Sequence, residues 1–137
     1  MIVLDASAVL AFLQGEPGAD VVEAALAEGA TCGAANWSEI AQRVLGSGRD
    51  WSLARALLDS YGVIVEAVTI DDAEWAASRW RRVDGMSLGD RLCLALGHRL
   101  AVDVLTADSV WGDGQGSVRS AEDSAEHVLS TIEARAN

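Results

Sequence analysis

The sequence predicts a single α/β domain over residues 1–137, with a mostly parallel sheet and helices on both of its faces. The length of 137 residues suits one hydrophobic core. Strand-like and helical patterns alternate along the chain, which is typical of parallel strands joined by helices. No uncharged apolar run approaches the length of a membrane-spanning helix. We therefore expect a soluble cytoplasmic protein without a membrane segment.

The first half of the chain begins with an apolar, β-branched-rich segment that predicts a buried strand. The apolar spacing at Ala8, Val9 and Phe12 predicts a helix directly after it. Pro17 is placed to begin the next helix and Gly29 to end it. The predicted elements of this half are a strand at residues 2–4, helices at 8–12 and 17–29, a strand at 30–35, and helices at 36–48 and 50–62.

The second half repeats this alternation and contains the most apolar helix of the chain, at residues 87–101. The strand after that helix ends in Asp108, as the first strand ends in Asp5. The predicted elements of this half are a strand at 62–68, helices at 71–83 and 87–101, strands at 102–108 and 117–121, and a last helix around residues 128–132.

The charge of the chain narrows the possible functions. The net charge is −11, and all ten basic side chains are arginines. The absence of lysine argues against phosphate chemistries that rely on one, such as P-loop hydrolases. So acidic a chain would repel nucleic acid unless a basic patch or bound cations intervene. A phosphate substrate would therefore need a metal bridge.

Four acids stand at the boundaries of predicted elements. Asp5 and Asp108 end strands, while Glu39 and Asp90 open helices, and in a parallel α/β sheet all four positions can lie at the carboxyl edge. Each acid also has a structural explanation, because all four could cap helices, Glu39 with Asn36 and Asp90 with Ser87.

A cluster of these carboxylates would need compensating charge. Two carboxylates about 5 Å apart repel by roughly 3 kcal/mol at an effective dielectric constant near 20. The two cysteines show no metal-ligand spacing and are expected to be small buried residues, and neither histidine is close to the acids in sequence. Oxygen-only ligands suit Mg²⁺ or Mn²⁺ rather than Zn²⁺.

The motifs DASAVL, SLGDRLCLAL and LTAD, with a helix-opening glutamate between the first two, resemble those of PIN-domain ribonucleases. More narrowly, the chain resembles the VapC-type toxin of a VapBC toxin-antitoxin pair over essentially its whole length. The resemblance implies a three-layer α/β/α fold and a Mg²⁺-dependent endoribonuclease that leaves 5′-phosphate and 3′-hydroxyl ends. It also implies a homodimer inhibited by a small VapB-type antitoxin.

The resemblance places four acids in the catalytic site. Asp5, Asp90 and Asp108 are expected to hold the metal, and Glu39 to bind a second ion or orient the attacking water. Asp113 is a fifth acid that either reaches the metals or is solvated.

Other polar residues are candidates for supporting roles. Ser7 and Thr106 could hydrogen-bond the ligating carboxylates or could satisfy local backbone groups. Arg43 and Arg91 follow proposed ligands closely and could approach the RNA. Arg81 and Arg82, beside Trp80, could meet RNA phosphates or could form a solvated helix end.

A second function is compatible with the same residues. The domain could be a catalytically silent PIN-like module whose acidic groove receives a basic segment of a partner protein. A metal titration separates the two functions, because a protein-binding groove has no reason to bind Mn²⁺ at a defined stoichiometry.

Overall fold

The computed structural model describes residues 1–82 and 85–108 and, for the backbone alone, residues 118–120. The strands in this part of the chain are β1 (Ile2–Leu4), β2 (Ala30–Gly33), β3 (Ile64–Glu66), β4 (Val104–Thr106) and β5 (Val118–Ser120). The helices in the same part are α1 (Ala6–Gln14), α2 (Ala19–Glu28), α3 (Ala34–Gly46), α4 (Trp51–Ser60), α5 (Ile70–Ser78) and α6 (Leu88–Leu100).

The five strands form one parallel sheet in the order β3-β2-β1-β4-β5. β1 is central, and its residues Val3 and Leu4 are fully buried on opposite faces. Val3 packs with α6, whereas Leu4 belongs to a cluster that includes residues of α1 through α4. Helices therefore cover both faces, which confirms the predicted α/β class and its three layers.

The pairing of β1 with β4 sets the position of the acidic residues. Val3 is opposite Val104 and Leu4 is opposite Leu105 in parallel register. Asp5 follows β1 directly, and Asp108 comes two residues after the end of β4. Both residues consequently lie at the carboxyl edge of the sheet, where the helices that follow parallel strands also begin.

Most helix boundaries differ from the sequence prediction by a few residues, and two of the differences change the interpretation of nearby residues. α3 begins at Ala34 rather than Asn36, because Gly33 is the N-cap residue in extended conformation. α5 ends at Ser78, with Arg79 as its C-cap residue, whereas a helix through residue 83 was expected. Asn36 is therefore an interior helix residue and cannot form the capping box predicted for it with Glu39.

Several further predictions concern the ends and the cysteines of the chain. β5 confirms the strand predicted at 117–121, and both cysteines are buried and free. The predicted last helix around residues 128–132 and Asp113 lie outside the described residues. Among the residues that are described, no helix is both long and apolar enough to cross a membrane.

Candidate active site

The four acids line one open cavity at the carboxyl edge of the sheet, with a volume of about 370 Å³. We call it the acidic cavity. Its walls come from the loop after β1, from α1, α3 and α6, and from the residues after β4. The lining residues are Asp5, Ala6, Ser7, Leu10, Glu39, Gln42, Arg43, Asp90 and Asp108.

Asp5 lies at the bottom of this arrangement and is only 3% exposed. It is the N-cap residue of α1, and its Oδ1 accepts a hydrogen bond of 2.8 Å from the Ala8 backbone N–H. The Thr106 hydroxyl donates to Oδ2 at 2.6 Å. The Ser7 hydroxyl donates to Oδ1 and Oδ2 at 2.8 and 2.9 Å. These contacts fix the orientation of the carboxylate.

Burial raises the pKa of Asp5 from its ordinary value of 3.8 to about 6. The hydrogen bonds from Thr106, Ala8 and Ser7 favour the carboxylate and oppose this rise, while the negative charge of Asp90 adds to it. Desolvation outweighs the hydrogen bonds. The site therefore holds a carboxylate whose charge a cation would stabilise.

Thr106 and Ser7 also organise the loop after β4. The Thr106 hydroxyl accepts the Asp108 backbone N–H at 2.9 Å, and the Ser7 hydroxyl accepts the Ala107 N–H at 3.0 Å. The two hydroxyl oxygens are 3.2 Å apart. The two roles considered for Ser7 and Thr106, carboxylate support and backbone satisfaction, are thus both present, and they connect Asp5 to the loop that carries Asp108.

Glu39 projects from the interior of α3 and is held by Asn36, which donates from Nδ2 to Glu39 Oε1 at 3.0 Å. The pKa of Glu39 is raised by burial and by the charge of Asp90, and the Asn36 hydrogen bond lowers it in part. Glu39 is therefore electrostatically connected to the α6 wall of the cavity.

Asp90 opens α6 as the N3 residue of a complete capping box. The Asp90 N–H donates to the Ser87 hydroxyl at 3.1 Å, and the Ser87 N–H donates to Asp90 Oδ2 at 3.3 Å. The structural explanation for Asp90 is correct, yet Asp90 also lines the acidic cavity. Capping and a position in the site are therefore compatible, as they are for Asp5.

The family of the chain follows from a comparison with protein-family models, in which the PIN domain model matches residues 2–113. The chain belongs to the PIN domain family. No curated protein sequence matches it significantly.

Two solved structures have the same fold as this PIN domain. A toxin-antitoxin complex from Klebsiella pneumoniae superposes with a TM-score of 0.71 at 15% identity, covering 88% of this chain and 98% of that one. Mycobacterium tuberculosis VapC20, a sarcin-ricin loop cleaving toxin, gives 0.65 at 19% identity, covering 87% and 99%. At these identities the likeness shows a shared fold.

The candidate arginines of this PIN domain differ in whether they line the acidic cavity. Arg43 lines the acidic cavity. Arg91 does not, contrary to expectation, because its Nη1 donates to the Ala76 carbonyl at the end of α5, at 2.8 Å. Arg81 and Arg82 are exposed beyond α5 and are not among the cavity-lining residues. Among the arginines whose side chains are described, Arg43 is thus the one that lines the acidic cavity.

The donor set of the PIN domain suits a hard divalent cation, because the cavity offers carboxylate oxygens with a buried Asp5 among them. Within residues 1–82 and 85–108, however, no three acidic, histidine or cysteine side chains are close enough to form a ready-made metal site. The chemistry of the donors fits a metal, and binding would have to draw the carboxylates together.

Sequence reasoning missed two polar residues of this site, the cavity-lining Gln42 and Asn36 behind Glu39. Asn36 was considered only as a cap, but its side chain is 1% exposed and contacts both Glu39 and the Gly89 carbonyl of α6. The signal for this contact is the three-residue spacing from Asn36 to Glu39, which places both on one helix face. The partner on α6 could not be read from that spacing.

Proposed function

We propose that this PIN domain is a Mg²⁺-dependent endoribonuclease, with Mn²⁺ able to substitute, and that it acts as the toxin of a type II toxin-antitoxin system. One observation carries the proposal. Asp5, Glu39, Asp90 and Asp108 line a single open cavity at the carboxyl edge of the sheet. The domain has no lysine, and the described residues that line the cavity include no histidine, that could perform phosphodiester chemistry in place of a metal.

In this proposal Asp5, Asp90 and Asp108 hold the cation. When bound, the cation would supply activation of a water molecule and neutralisation of phosphate charge. Ser7 and Thr106 keep the Asp5 carboxylate oriented through their hydroxyl donors. We expect RNA products with a 5′-phosphate and a 3′-hydroxyl.

Glu39 and Arg43 act on the substrate side of the proposed reaction. Oε1 of Glu39 accepts from Asn36, so Oε2 is the oxygen available to orient the attacking water or to bind a second ion. Arg43 is placed to bind a phosphate of the RNA strand. Together they would align the water and the scissile phosphate.

The proposed partner is a small VapB-type antitoxin, and the proposed assembly is a homodimer in the cytoplasm in which residues 1–137 form one domain. A chain with net charge −11 and an acidic cavity suits an arginine-bearing segment, because arginine and carboxylate form charge-assisted hydrogen bonds. The Klebsiella neighbour is described as a toxin-antitoxin complex, in keeping with such a partner.

The test uses purified protein freed of any partner. We expect cleavage of single-stranded or loop RNA with Mg²⁺ or Mn²⁺, no cleavage in EDTA, and recovery when excess metal is restored. Mapping of new 5′ ends after expression of this chain alone would identify the RNA. Undiminished cleavage in excess chelator would refute the metal-dependent mechanism.

The absence of a ready-made metal site in the described residues favours a second candidate, the catalytically silent binding module. Calorimetric titration with Mn²⁺ separates it from the nuclease. Saturable binding at a defined stoichiometry, lost in Asp5→Asn, supports the nuclease. No binding, together with tight association of an arginine-rich peptide, supports the module.

A further inference from the structure

In the described part of the chain, the buried side chain of Asn36 forms hydrogen bonds through its amide nitrogen alone. Its Nδ2 donates to Glu39 Oε1 at 3.0 Å and to the Gly89 carbonyl at 3.3 Å. Its Oδ1 is buried and has no partner among the described residues. An unsatisfied buried acceptor is costly. The amide is therefore oriented for its two donors, which contact α3 and α6 at once.

Gly89 forms the opposite side of the same contact. A Cβ atom at Gly89 would collide with the carboxylate of Glu39. The Glu39 carboxylate thus lies directly against the backbone of α6, one residue before Asp90. Gly46, which ends α3, offers a contrast, because a Cβ there would meet nothing within 4 Å. The observed position of the Glu39 carboxylate therefore requires that residue 89 have no side chain.

We infer that Asn36 and Gly89 are positioning residues that hold the Glu39 carboxylate beside Asp90 in the acidic cavity. The inference rests on the proposed function, because Glu39 is assigned there to the attacking water or a second ion. Asn36 fixes one carboxylate oxygen, and Gly89 leaves the space that the carboxylate occupies.

Electrostatics explains why such a contact is needed. Glu39 and Asp90 line the same cavity, so the two acids repel when both are ionised. This repulsion favours rotation of the Glu39 side chain away from α6. The Asn36 amide opposes this motion and also joins α3 to α6 through the Gly89 carbonyl. One side chain therefore sets the spacing of two proposed functional acids.

The first experiment compares Gly89→Ala with Gly46→Ala as a matched control. In Gly89→Ala we expect RNA cleavage to fall about 10- to 100-fold, the range typical of residues behind metal ligands. The helical circular dichroism should be retained, and calorimetry shows whether binding of a second Mn²⁺ ion is lost as well. Gly46→Ala should bind Mn²⁺ and cleave RNA as the wild type does. Equal behaviour of the two variants would overturn the inference.

The second experiment tests whether Gly89 acts through Glu39. Glu39→Asp shortens the side chain by one methylene and leaves room for a Cβ at residue 89. Gly89→Ala should therefore reduce RNA cleavage much less in the Glu39→Asp background than in the wild type. Additive losses would mean that Gly89 acts elsewhere and would count against the inference.

The third experiment replaces Asn36 with Leu, which has similar volume and no donor. We expect a lower kcat at nearly unchanged KM, because the RNA contacts remain. A wild-type kcat in a folded Asn36→Leu protein would contradict the inference alone. A wild type that neither binds Mn²⁺ nor cleaves RNA would overturn the proposed function as well.

Discussion

Two capping boxes of the same design open α5 and α6, and they differ in how the acid is neutralised. Thr69 and Asp72 form the first, and Ser87 and Asp90 form the second. Asp72 accepts a hydrogen bond of 3.0 Å from Arg99, and its pKa is lowered by hydrogen bonds from Arg99 and Thr69 despite burial. No ion pair to Asp90 is present among the described residues.

This difference shows that local geometry does not distinguish an acid that only caps a helix from one that caps a helix and also lines a cavity. Both aspartates satisfy the first turn of a helix in the same way. Asp72 has a guanidinium beside it, whereas Asp90 raises the pKa values of Asp5 and Glu39. Asp90, which caps a helix, has no ion pair among the described residues and faces other acids, is therefore the one with charge available for a ligand.

The largest expected effect comes from neutralising each capping acid in turn. Asp90→Asn should reduce RNA cleavage by about 100-fold or more, beyond the loss typical of a residue behind a metal ligand. Asp72→Asn should leave cleavage nearly unchanged. Initial rates on one RNA substrate in Mg²⁺ check both variants. Equal losses would remove the distinction between the two boxes.

The same two variants should differ in stability, measured by urea unfolding in EDTA. Asp72→Asn removes the charge that pairs with Arg99 Nε, although Glu66 and the Ala67 carbonyl still contact Arg99, and it should cost about 1–3 kcal/mol. Asp90→Asn loses about 0.5 kcal/mol of helix-dipole interaction and gains about 1 kcal/mol from relief of repulsion, so it should be neutral or slightly stabilising. A marked loss of stability in Asp90→Asn would show that its cap outweighs the repulsion.

The next prediction concerns pH and Asp5. The pKa of Asp5 is raised to about 6 in the folded protein against 3.8 ordinarily, so between these pH values the folded state binds more protons than the unfolded state. The metal-free protein should therefore lose about 2 kcal/mol of stability from this group as pH rises from 4 to 7. Asp72 has a lowered pKa and acts in the opposite sense at lower pH.

Asp5→Asn should flatten this dependence, because the amide does not titrate and can still accept from Ala8. Urea unfolding in EDTA at intervals from pH 4 to 7 measures the difference between the two proteins. An unchanged slope in Asp5→Asn would mean that other groups cause the dependence. Raised Mn²⁺ should restore stability near neutral pH in the wild type only, because a ligand that binds the folded state stabilises it.

The smallest expected effect concerns Arg43. It tests whether Arg43 binds RNA or instead pairs with the acids of the cavity, as Arg99 pairs with Asp72. If Arg43 binds RNA phosphate, Arg43→Gln should raise KM a few-fold, reduce the salt dependence of binding by about one contact, and leave stability unchanged. The control is Arg55→Gln, which removes an exposed pair with Asp59 on α4. A loss of stability in Arg43→Gln would instead identify Arg43 as a structural counterion of the acids.

Much of the fold was predictable because the pattern is local. The alternation of strands and helices follows from apolar spacing, and the placement of Asp5 and Asp108 at one edge follows from parallel strands. The first residue of α3 was not predictable from local pattern. Its N-cap residue Gly33 is extended because it is also the last residue of β2. The hydrogen bond from Arg91 to the Ala76 carbonyl was not predictable either, because Ala76 is on a different helix.

The acids of the cavity were identified from motifs, whereas the contacts between them required the structure. Asn36 is an example, because a three-residue spacing from Glu39 indicates a shared face but not the second hydrogen bond to the Gly89 carbonyl. Such contacts join elements far apart in sequence. They depend on how α3 and α6 pack, which neither propensity nor charge pattern specifies.

The central position of β1 has a consequence for synthesis of the chain. β1 is synthesised before β4, and its pairing with β4 and the hydrogen bond from Thr106 to Asp5 span about a hundred residues. The Asp5 environment therefore cannot form until residues 104–106 have left the ribosome. Contacts of such long range also slow folding. Under the proposed function, a nascent chain would therefore be inert toward RNA until β4 has emerged and paired with β1.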